Sequence, residues 1–153
     1  DLGSGTGYYT RAVSSRVGPS GHVYAIEVQK GLVKRLESEL KELGYKNVEC
    51  IWADVETKGG TKLADESVDA VILSNILFQV SDILGLITET RRILKHGGKV
   101  LVVDWVQSFD GMGPAPYTVV SEKKARDMFR ERGFKELQTI SAGPYQYGII
   151  FEG

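Results

Sequence analysis

The sequence contains little that would cross-link the chain or carry it through a membrane. Its 153 residues include one cysteine, Cys50, so no disulfide can form within the chain. Because these residues also contain no signal-like segment, the scarcity of cysteine favours a reducing, cytoplasmic location. No apolar run approaches the roughly 18 residues that a membrane-spanning helix needs. We therefore expect no membrane span.

Charge of either sign is also too evenly distributed to identify a partner. There are 19 lysines and arginines against 20 aspartates and glutamates, which leaves a formal net charge of −1. Without a basic patch interleaved with aromatic residues, the electrostatic argument for nucleic-acid binding is missing. The sequence predicts no metal site. We expect a small-molecule partner, and the sequence does not indicate an oligomeric state.

Short apolar runs typical of strands alternate with helical patterns along the whole chain. Helices are predicted from about residue 8 and over Gly31–Leu43, Asp82–Lys95 and Ser121–Arg132; strands are predicted over His22–Ile26, Asn47–Ala53, Val68–Leu73, Lys99–Asp104, Phe134–Ile140 and Tyr147–Glu152. This alternation predicts an α/β fold, a Rossmann-like, open, mostly parallel and doubly wound sheet with helices on both faces. The last two strands have no helix between them, so we expect them to pair antiparallel. We treat residues 1–153 as a single domain.

The chain opens on a glycine-rich motif, Asp1-Leu-Gly-Ser-Gly-Thr-Gly7. Alternating glycines let a backbone turn sharply and approach a ligand closely, because no Cβ intervenes. A helix that starts just after them points its amide groups at the same place, which suits a carboxylate or phosphate. Asp1 and Leu2 would be the end of a central strand. We therefore expect that the first strand is truncated and that the chain is a fragment.

Polar residues stand where the other predicted parallel strands end. Glu27 follows the strand His22–Ile26 and can accept hydrogen bonds from a ribose diol. Asp54 follows the strand Asn47–Ala53 and can accept from an adenine amino group. Ser74 and Asn75 follow the strand Val68–Leu73 and can bind the amino-acid part of a ligand. Since ligands of open α/β sheets bind beyond the carboxyl ends of strands, these residues outline a pocket for an adenosine with a short zwitterionic tail.

With these motifs and the turn Leu94-Lys-His-Gly-Gly-Lys99, the chain resembles a class I S-adenosylmethionine-dependent methyltransferase of the ubiquinone/menaquinone-biosynthesis-like group. The resemblance covers the whole chain. It implies S-adenosylmethionine as the cofactor and S-adenosylhomocysteine as the product. It also implies that Asp1 and the glycine loop hold the methionine end, Glu27 the ribose, Asp54 and Val55 the adenine, and Ser74 the amino group. The cofactor-binding residues it implies are Asp1, Gly3, Ser4, Gly5, Thr6, Gly7, Glu27, Val28, Asp54, Val55, Ser74 and Asn75.

The sequence departs from the family pattern at two positions, where Ser4 replaces a frequent Cys and His96 a frequent Pro. The first exchange is between small residues. The second lies in a turn remote from the cofactor, where we interpret His96 as a solvated residue. The strand-initial His22 has the same interpretation.

Residues for the methyl acceptor are less well defined. Asp104 and Trp105 end a strand, and Asp104 is a weak candidate for a general base, with no other catalytic residue identified. The Gly- and Pro-rich segment Gln107–Tyr117 is a candidate lid or acceptor wall. Phe78 and Gln79 face the same region. Trp105, Phe78, Tyr145 and Tyr147 either contact the acceptor or pack in the core. The default acceptor is a small or lipid-like molecule.

Two other functions stay open at this stage. One is a non-catalytic module that keeps the fold and binds the cofactor. The other is an NAD-dependent oxidoreductase, whose glycine fingerprint is G-x-G-x-x-G. Here the third glycine comes one residue early, and Tyr8 occupies the fingerprint position. Asp54 also has no role in an oxidoreductase, so methyl transfer is favoured.

Overall fold

The computed structural model describes residues 1–109 and 111–153. Its helices are α1 (Tyr8–Val17), α2 (Lys30–Glu42), α3 (Ile83–Ile93) and α4 (Glu122–Glu131). Its strands are β1 (Val23–Glu27), β2 (Val48–Trp52), β3 (Val68–Ser74), β4 (Leu94–Trp105), β5 (Lys135–Ser141) and β6 (Gln146–Glu152).

The strands form two groups that a single residue connects. Strand β1 pairs with β2, and the other four strands follow the order β3-β4-β6-β5. Leu2 makes parallel bridges to Ile26 of β1 and to Leu73 of β3. The start of the chain therefore lies at the centre of the sheet, where the sequence predicts its first strand.

The predicted fold class is confirmed. Strands β1 and β2 are parallel, as are β3 and β4, whereas β6 runs antiparallel to both β4 and β5. Helix α1 contacts β1, α2 contacts β1 and β2, and α4 contacts β5. The largest boundary error lies between α3 and β4: α3 ends at Ile93 instead of Lys95, and β4 starts at Leu94 instead of Lys99. Leu94 is already extended, with a ψ of 131°, and it starts a β4 longer than the predicted strand.

A groove of about 370 Å³ lies beside Leu2, between the amino-terminal halves of β1 and β3. Leu2, Tyr24, Val68 and Ile72 contribute to its walls. The apolar run Val68–Leu73 predicts a strand that is buried on both faces, but Asp69 and Ala70 are exposed. Their exposure is consistent with this groove, since among the described residues no strand pairs with the edge of β3 that faces away from β4 there.

The main core joins both groups of strands through Leu2, which is 2% exposed. Around α4 the core is aromatic, and the rings of Phe129 and Phe151 stack with their centroids 4.6 Å apart. This stacking packs α4 against β6, at the level of Val100 on β4. Within residues 1–109 and 111–153, no helix is long and apolar enough to cross a membrane.

Candidate functional site

The glycine loop, residues 3–7, crosses the carboxyl end of β1. The backbone nitrogens of Gly3 and Ser4 both donate to Ile26 O, at 2.8 and 3.0 Å. Gly7 N donates to Ser4 O at 2.8 Å, which closes the turn that leads into α1. Thr6 is exposed, and its carbonyl oxygen accepts from Arg11 at 2.9 Å. The loop is thus held by backbone bonds and by the side chain of Arg11.

Two of its glycines have different reasons to lack a side chain. At Gly3, with φ +75°, a Cβ would lie 2.5 Å from Ile76 Cδ1, so close packing excludes it. At Gly5, with φ +52°, a Cβ would meet no atom within 4 Å. Gly5 therefore combines left-handed backbone with open space beside it. A ligand could approach its main chain there.

Ser4 provides an independent test of whether this loop fits a polar ligand. Its side chain is 8% exposed, and within the described residues its Oγ has no hydrogen-bond partner. Buried polar groups in native proteins nearly always have a partner, so an unpartnered hydroxyl here calls for a water or a ligand. Asp1 differs, since its Oδ2 accepts from Thr10 Oγ1 at 2.5 Å.

Glu27 lies against the glycine loop at the end of β1. It is 7% exposed; its Oε2 accepts from Gly5 N at 3.0 Å and its Oε1 from Gln29 N at 2.9 Å. An ionised carboxylate has about four acceptor positions. Two of these remain, which is the number that a ribose diol requires. The structure thus brings Glu27 and the loop together as the sequence predicts.

Asp54 and Val55 follow β2 in a tight turn. The side chain of Asp54 is exposed; its Oδ1 accepts from Glu56 N at 2.8 Å and its Oδ2 from Thr57 Oγ1 at 3.0 Å. These contacts fix the direction of the carboxylate. Val55 is 6% exposed and belongs to the main core. The adenine roles of both residues stay predictions.

Trp52 is a candidate that the sequence reading did not assign. It lies in register with Glu27 on the edge strand β2, and its Nε1 donates to Val28 O at 2.8 Å. Lys30 Nζ and Lys62 Nζ lie 4.9 and 5.8 Å from its ring centre. Trp52, which is exposed, thus lies next to Glu27 where β1 and β2 end. A tryptophan two residues before Asp54, on a strand of mixed polarity, was the available signal.

Ser74 and Asn75 end β3 and form a polar network with β6. Asn75 has a left-handed φ of +54°, and its backbone nitrogen donates to Val103 O at 2.8 Å. Its side-chain oxygen accepts from Gln146, and its carbonyl oxygen accepts from Gln79 at 2.5 Å. Asn75 is therefore already fixed by protein contacts, whereas half-buried Ser74 is the freer residue.

Asp104 supports the same loop from within the sheet. It is 1% exposed; its Oδ2 accepts from Leu77 N and its Oδ1 from Trp105 N, at 2.9 and 2.8 Å. Burial raises the pKa of this carboxyl to about 6, although the backbone hydrogen bonds act in the opposite direction. A carboxylate that points at backbone amides holds the loop after β3 in place. This placement gives no support to Asp104 as a general base.

Three aromatic side chains form a cluster beside this network. The ring centres of Trp105 and Phe109 are 6.3 Å apart, and those of Phe109 and Tyr145 are 4.9 Å apart in an edge-to-face arrangement. Val106 N donates to Tyr145 O at 3.0 Å, which ties the segment after β4 to the final hairpin. We call Trp105, Phe109 and Tyr145 the aromatic cluster.

The other residues considered for the acceptor have different surroundings. Tyr147 packs in the core, with 4% exposure and a hydrogen bond to Val120 O. Phe78 is half-buried, and Gln79 is exposed. Within the segment Gln107–Tyr117, Asp110 lies outside the described residues.

Neither histidine lies in this region. His96 and His22 are at the surface, near Glu66 and Glu49 at 3.1 and 3.6 Å. Among the residues that the structure describes, no group of three or more histidine, cysteine or acidic side chains could hold a metal ion.

A comparison with protein families supports a ligand site of this kind. A family model described as a methyltransferase domain matches residues 1–138. Human arsenite methyltransferase is 34% identical over 116 residues, which cover 72% of this chain and 31% of that protein. Demethylmenaquinone methyltransferase of Anoxybacillus flavithermus is 26% identical, over 97% of this chain and 73% of that protein. The chain thus spans about a third of the first relative and about three quarters of the second.

Solved structures agree with the fold. A SAM-dependent methyltransferase from Aquifex aeolicus superimposes with a TM-score of 0.90 at 28% identity, over 99% of this chain and 79% of that chain. The [4+2]-cyclase SpnF superimposes with a TM-score of 0.83 at 18% identity, over 99% of this chain and 72% of that one. The second likeness concerns the fold alone.

Proposed function

The chain belongs to the methyltransferase domain family, and we propose that its protein transfers a methyl group from S-adenosylmethionine to a small, largely apolar acceptor. The observation that carries this proposal is the convergence of the glycine loop on Glu27, joined by the hydrogen bond from Gly5 N. The unpartnered Ser4 hydroxyl fits the same cofactor, since it offers a polar contact within the loop.

The chain's own residues would bind and orient the cofactor. The glycine loop and Ser74 would hold its methionine end, Glu27 its ribose, and the turn at Asp54 its adenine. When bound, S-adenosylmethionine supplies a sulfonium-linked methyl group that an acceptor atom can take by in-line displacement, leaving a neutral thioether. For such a reaction, alignment of the two reactants is the main contribution of the protein, about 7–11 kcal/mol in favourable cases.

An apolar acceptor is supported by the position of the aromatic cluster. Trp105 follows Asp104, which holds the loop after β3, and Tyr145 precedes Gln146, which binds Asn75. The cluster is therefore connected to the methionine end of the proposed cofactor site. Aromatic faces of this kind bury large apolar ligand areas.

The relatives' names suggest two acceptor classes, and the cysteine content favours one. Arsenic(III) prefers thiolate sulfur, and thiolate rather than thiol is the effective ligand. This chain has only Cys50, half-buried on β2, where burial and the charge of Glu37 raise the pKa of its thiol to about 11. We therefore propose a quinone-like ring acceptor for this domain. A cytoplasmic location stays a prediction.

Labelled methyl transfer tests the proposal directly. The purified protein is incubated with methyl-labelled S-adenosylmethionine and either a short-chain demethylmenaquinone reduced to its quinol with dithionite, so that the ring carbon is nucleophilic and releases its proton on methylation, or arsenite with glutathione. We expect label in the quinone product. Because the cyclase SpnF shares this fold, cofactor binding alone would not establish methyl transfer. Tight binding of NAD with no binding of S-adenosylhomocysteine would contradict the proposal.

A further inference from the structure

Glu89 lies on α3, outside the proposed cofactor pocket, and its side chain is completely buried. Its carboxylate accepts from the backbone nitrogens of Gly59 and Thr61 at 2.7 and 3.1 Å, and from Thr61 Oγ1 at 2.5 Å. Gly59 and Thr61 belong to the loop that connects β2 to β3. One helix side chain therefore fixes two positions of this loop.

Arg92, one turn further along α3, provides the counter-charge. Its Nε and Nη2 donate to Glu89 at 2.8 and 2.6 Å, and its Nη1 pairs with Asp65 at 2.5 Å. Burial acts to raise the pKa of Glu89, but the bonds from Arg92, Thr61 and the two backbone amides outweigh it and lower the pKa to about 2. Glu89 is thus ionised throughout the neutral range.

Gly59 and Thr61, the two positions that Glu89 holds, flank a residue that contacts Asp54 directly. Gly60, between Gly59 and Thr61, packs so closely on this turn that a Cβ would lie 2.1 Å from Asp54 O. The other side of the turn is held as well, since Glu56 Oε2 accepts from Asp82 N at 2.5 Å. The main chain of Asp54 is therefore enclosed between a tethered loop and the start of α3.

A buried ion pair of this kind usually adds little to the free energy of unfolding compared with apolar residues in its place. Apolar residues of similar volume often serve a fold equally well, because buried charges lose hydration. The Glu89 carboxylate accepts five hydrogen bonds, and these bonds fix the positions of the donor groups on Gly59, Thr61 and Arg92. We propose that Glu89 is a positioning residue that aims Asp54 at the adenine amino group, a role that rests on the proposed function.

The test compares two ligands that differ at positions 1 and 6 of the purine, on the edge that Asp54 would face. S-Adenosylhomocysteine carries a 6-amino group that can donate to an aspartate, whereas S-inosylhomocysteine carries an oxygen there, which cannot donate, and a proton on N1. Affinities for both are measured by calorimetry for the unchanged protein and for Asp54→Asn, Glu89→Gln and Thr61→Val. The control is Glu136→Gln, which disturbs a comparable ion pair with Arg126 and Arg130 away from the site.

We expect the unchanged protein to prefer the amino ligand by about tenfold to a hundredfold, the range of one hydrogen bond to a charged group. Asp54→Asn should remove most of this preference, because an asparagine amide can donate to the oxygen. Glu89→Gln should reduce it by at least about threefold, whereas Glu136→Gln should leave it unchanged. Thr61→Val removes one donor to Glu89 and should act in the same direction, even where Glu89→Gln fails to fold.

An equal loss of affinity for both ligands in Glu89→Gln and Thr61→Val would overturn the proposal, since it would indicate a purely structural role. Unchanged preference in Asp54→Asn would also overturn it but would leave methyl transfer standing. If the unchanged protein binds neither ligand, the proposed function itself is wrong. The three failures are therefore distinguishable.

Discussion

Gly5 and Glu27 are joined by a hydrogen bond of 3.0 Å, from the Gly5 backbone nitrogen to Glu27 Oε2. The two residues are 22 positions apart and come from the glycine loop and the end of β1. Their contact means that the acid does two things at once. It supports the loop that would hold the methionine end of the cofactor, and it retains acceptor positions for the ribose hydroxyls that we propose it binds.

The first prediction concerns Glu27. Replacing Glu27 by Ala removes the acceptor for the Gly5 nitrogen and for the proposed ribose hydroxyls. We expect the affinity for S-adenosylhomocysteine to fall about a hundredfold, because two or more bonds to a charged group are lost. Isothermal titration calorimetry measures the affinity of both proteins for S-adenosylhomocysteine. Asp127→Asn on α4, which disturbs an ion pair with Lys123 away from the glycine loop, is the matched control and should bind normally.

A second prediction uses the two buried hydroxyls that have no partner among the described residues, Ser4 Oγ and Thr90 Oγ1. Removing an unsatisfied buried hydroxyl does not cost stability and can increase it. Ser4→Ala should therefore keep or raise the melting temperature while weakening S-adenosylhomocysteine binding about three- to tenfold, the value of one hydrogen bond. Thr90→Val on α3 should have the same effect on stability and none on binding. Unchanged binding in both variants would mean that Ser4 does not touch the cofactor.

The third prediction is a pH dependence that originates at Asp104. Its pKa is about 6 in the folded protein, against 3.8 for an unperturbed aspartate, so the folded state retains the proton over that interval. Because the native state then binds more protons than the unfolded state, this group makes the free energy of unfolding fall as pH rises from about 4 to about 6. The full effect is on the order of 3 kcal/mol.

Asp104→Asn should remove this contribution. Urea unfolding of both proteins at several pH values gives the difference in stability, in which the other carboxyl groups cancel. We expect that difference to shift in favour of the variant between pH 4 and pH 6 and to be constant above pH 7. A difference that does not change with pH would show that Asp104 titrates normally.

The fourth prediction separates the acceptor from the cofactor. Tyr145→Ala removes one ring of the aromatic cluster and should raise KM for a quinone acceptor about fivefold or more, since aromatic contacts contribute about 1 kcal/mol beyond their buried area. The affinity for S-adenosylhomocysteine should stay within about twofold. Leu43, which is 65% exposed at the end of α2, provides the control Leu43→Ala. An acceptor KM that changes equally in both variants would place the acceptor elsewhere.

The sequence predicts that the candidate residues lie at strand ends, and in the structure β1 ends at Glu27 and β3 at Ser74. Glu27 and the glycine loop could be paired from chain order alone, since parallel strands present their carboxyl ends on one side. The contacts of Asp104 could not, because nothing in its neighbourhood indicates that its oxygens face the amides after β3. The hydrophobic period and the composition of a segment indicate which face of its helix or strand a residue occupies. They do not indicate which distant backbone groups its side chain binds.

Glu89 illustrates the same limit more strongly. A charged residue on a helix with a broad apolar stripe is ordinarily solvated. Glu89 is instead buried, because the loop from Gly59 to Thr61 folds over α3 and donates to it. Loop conformation depends on such long-range contacts, so local patterns do not predict it.

The last prediction concerns the groove beside Leu2. Strands β1 and β3 are bridged only by Leu2 among the described residues, and their amino-terminal halves enclose about 370 Å³ lined by apolar side chains such as Tyr24 and Ile72. Apart from Asp1 and Leu2, no described segment pairs with the edges of β1 and β3 that face this groove, so an added strand could pair there. An amino-terminal extension of about six alternating apolar residues should raise the melting temperature by about 5 °C or more, because it buries apolar surface and pairs backbone groups. A glycine-serine extension of equal length is the control for the effect of added residues that do not form a strand. Equal melting temperatures for the two extended forms would show that no strand enters the groove.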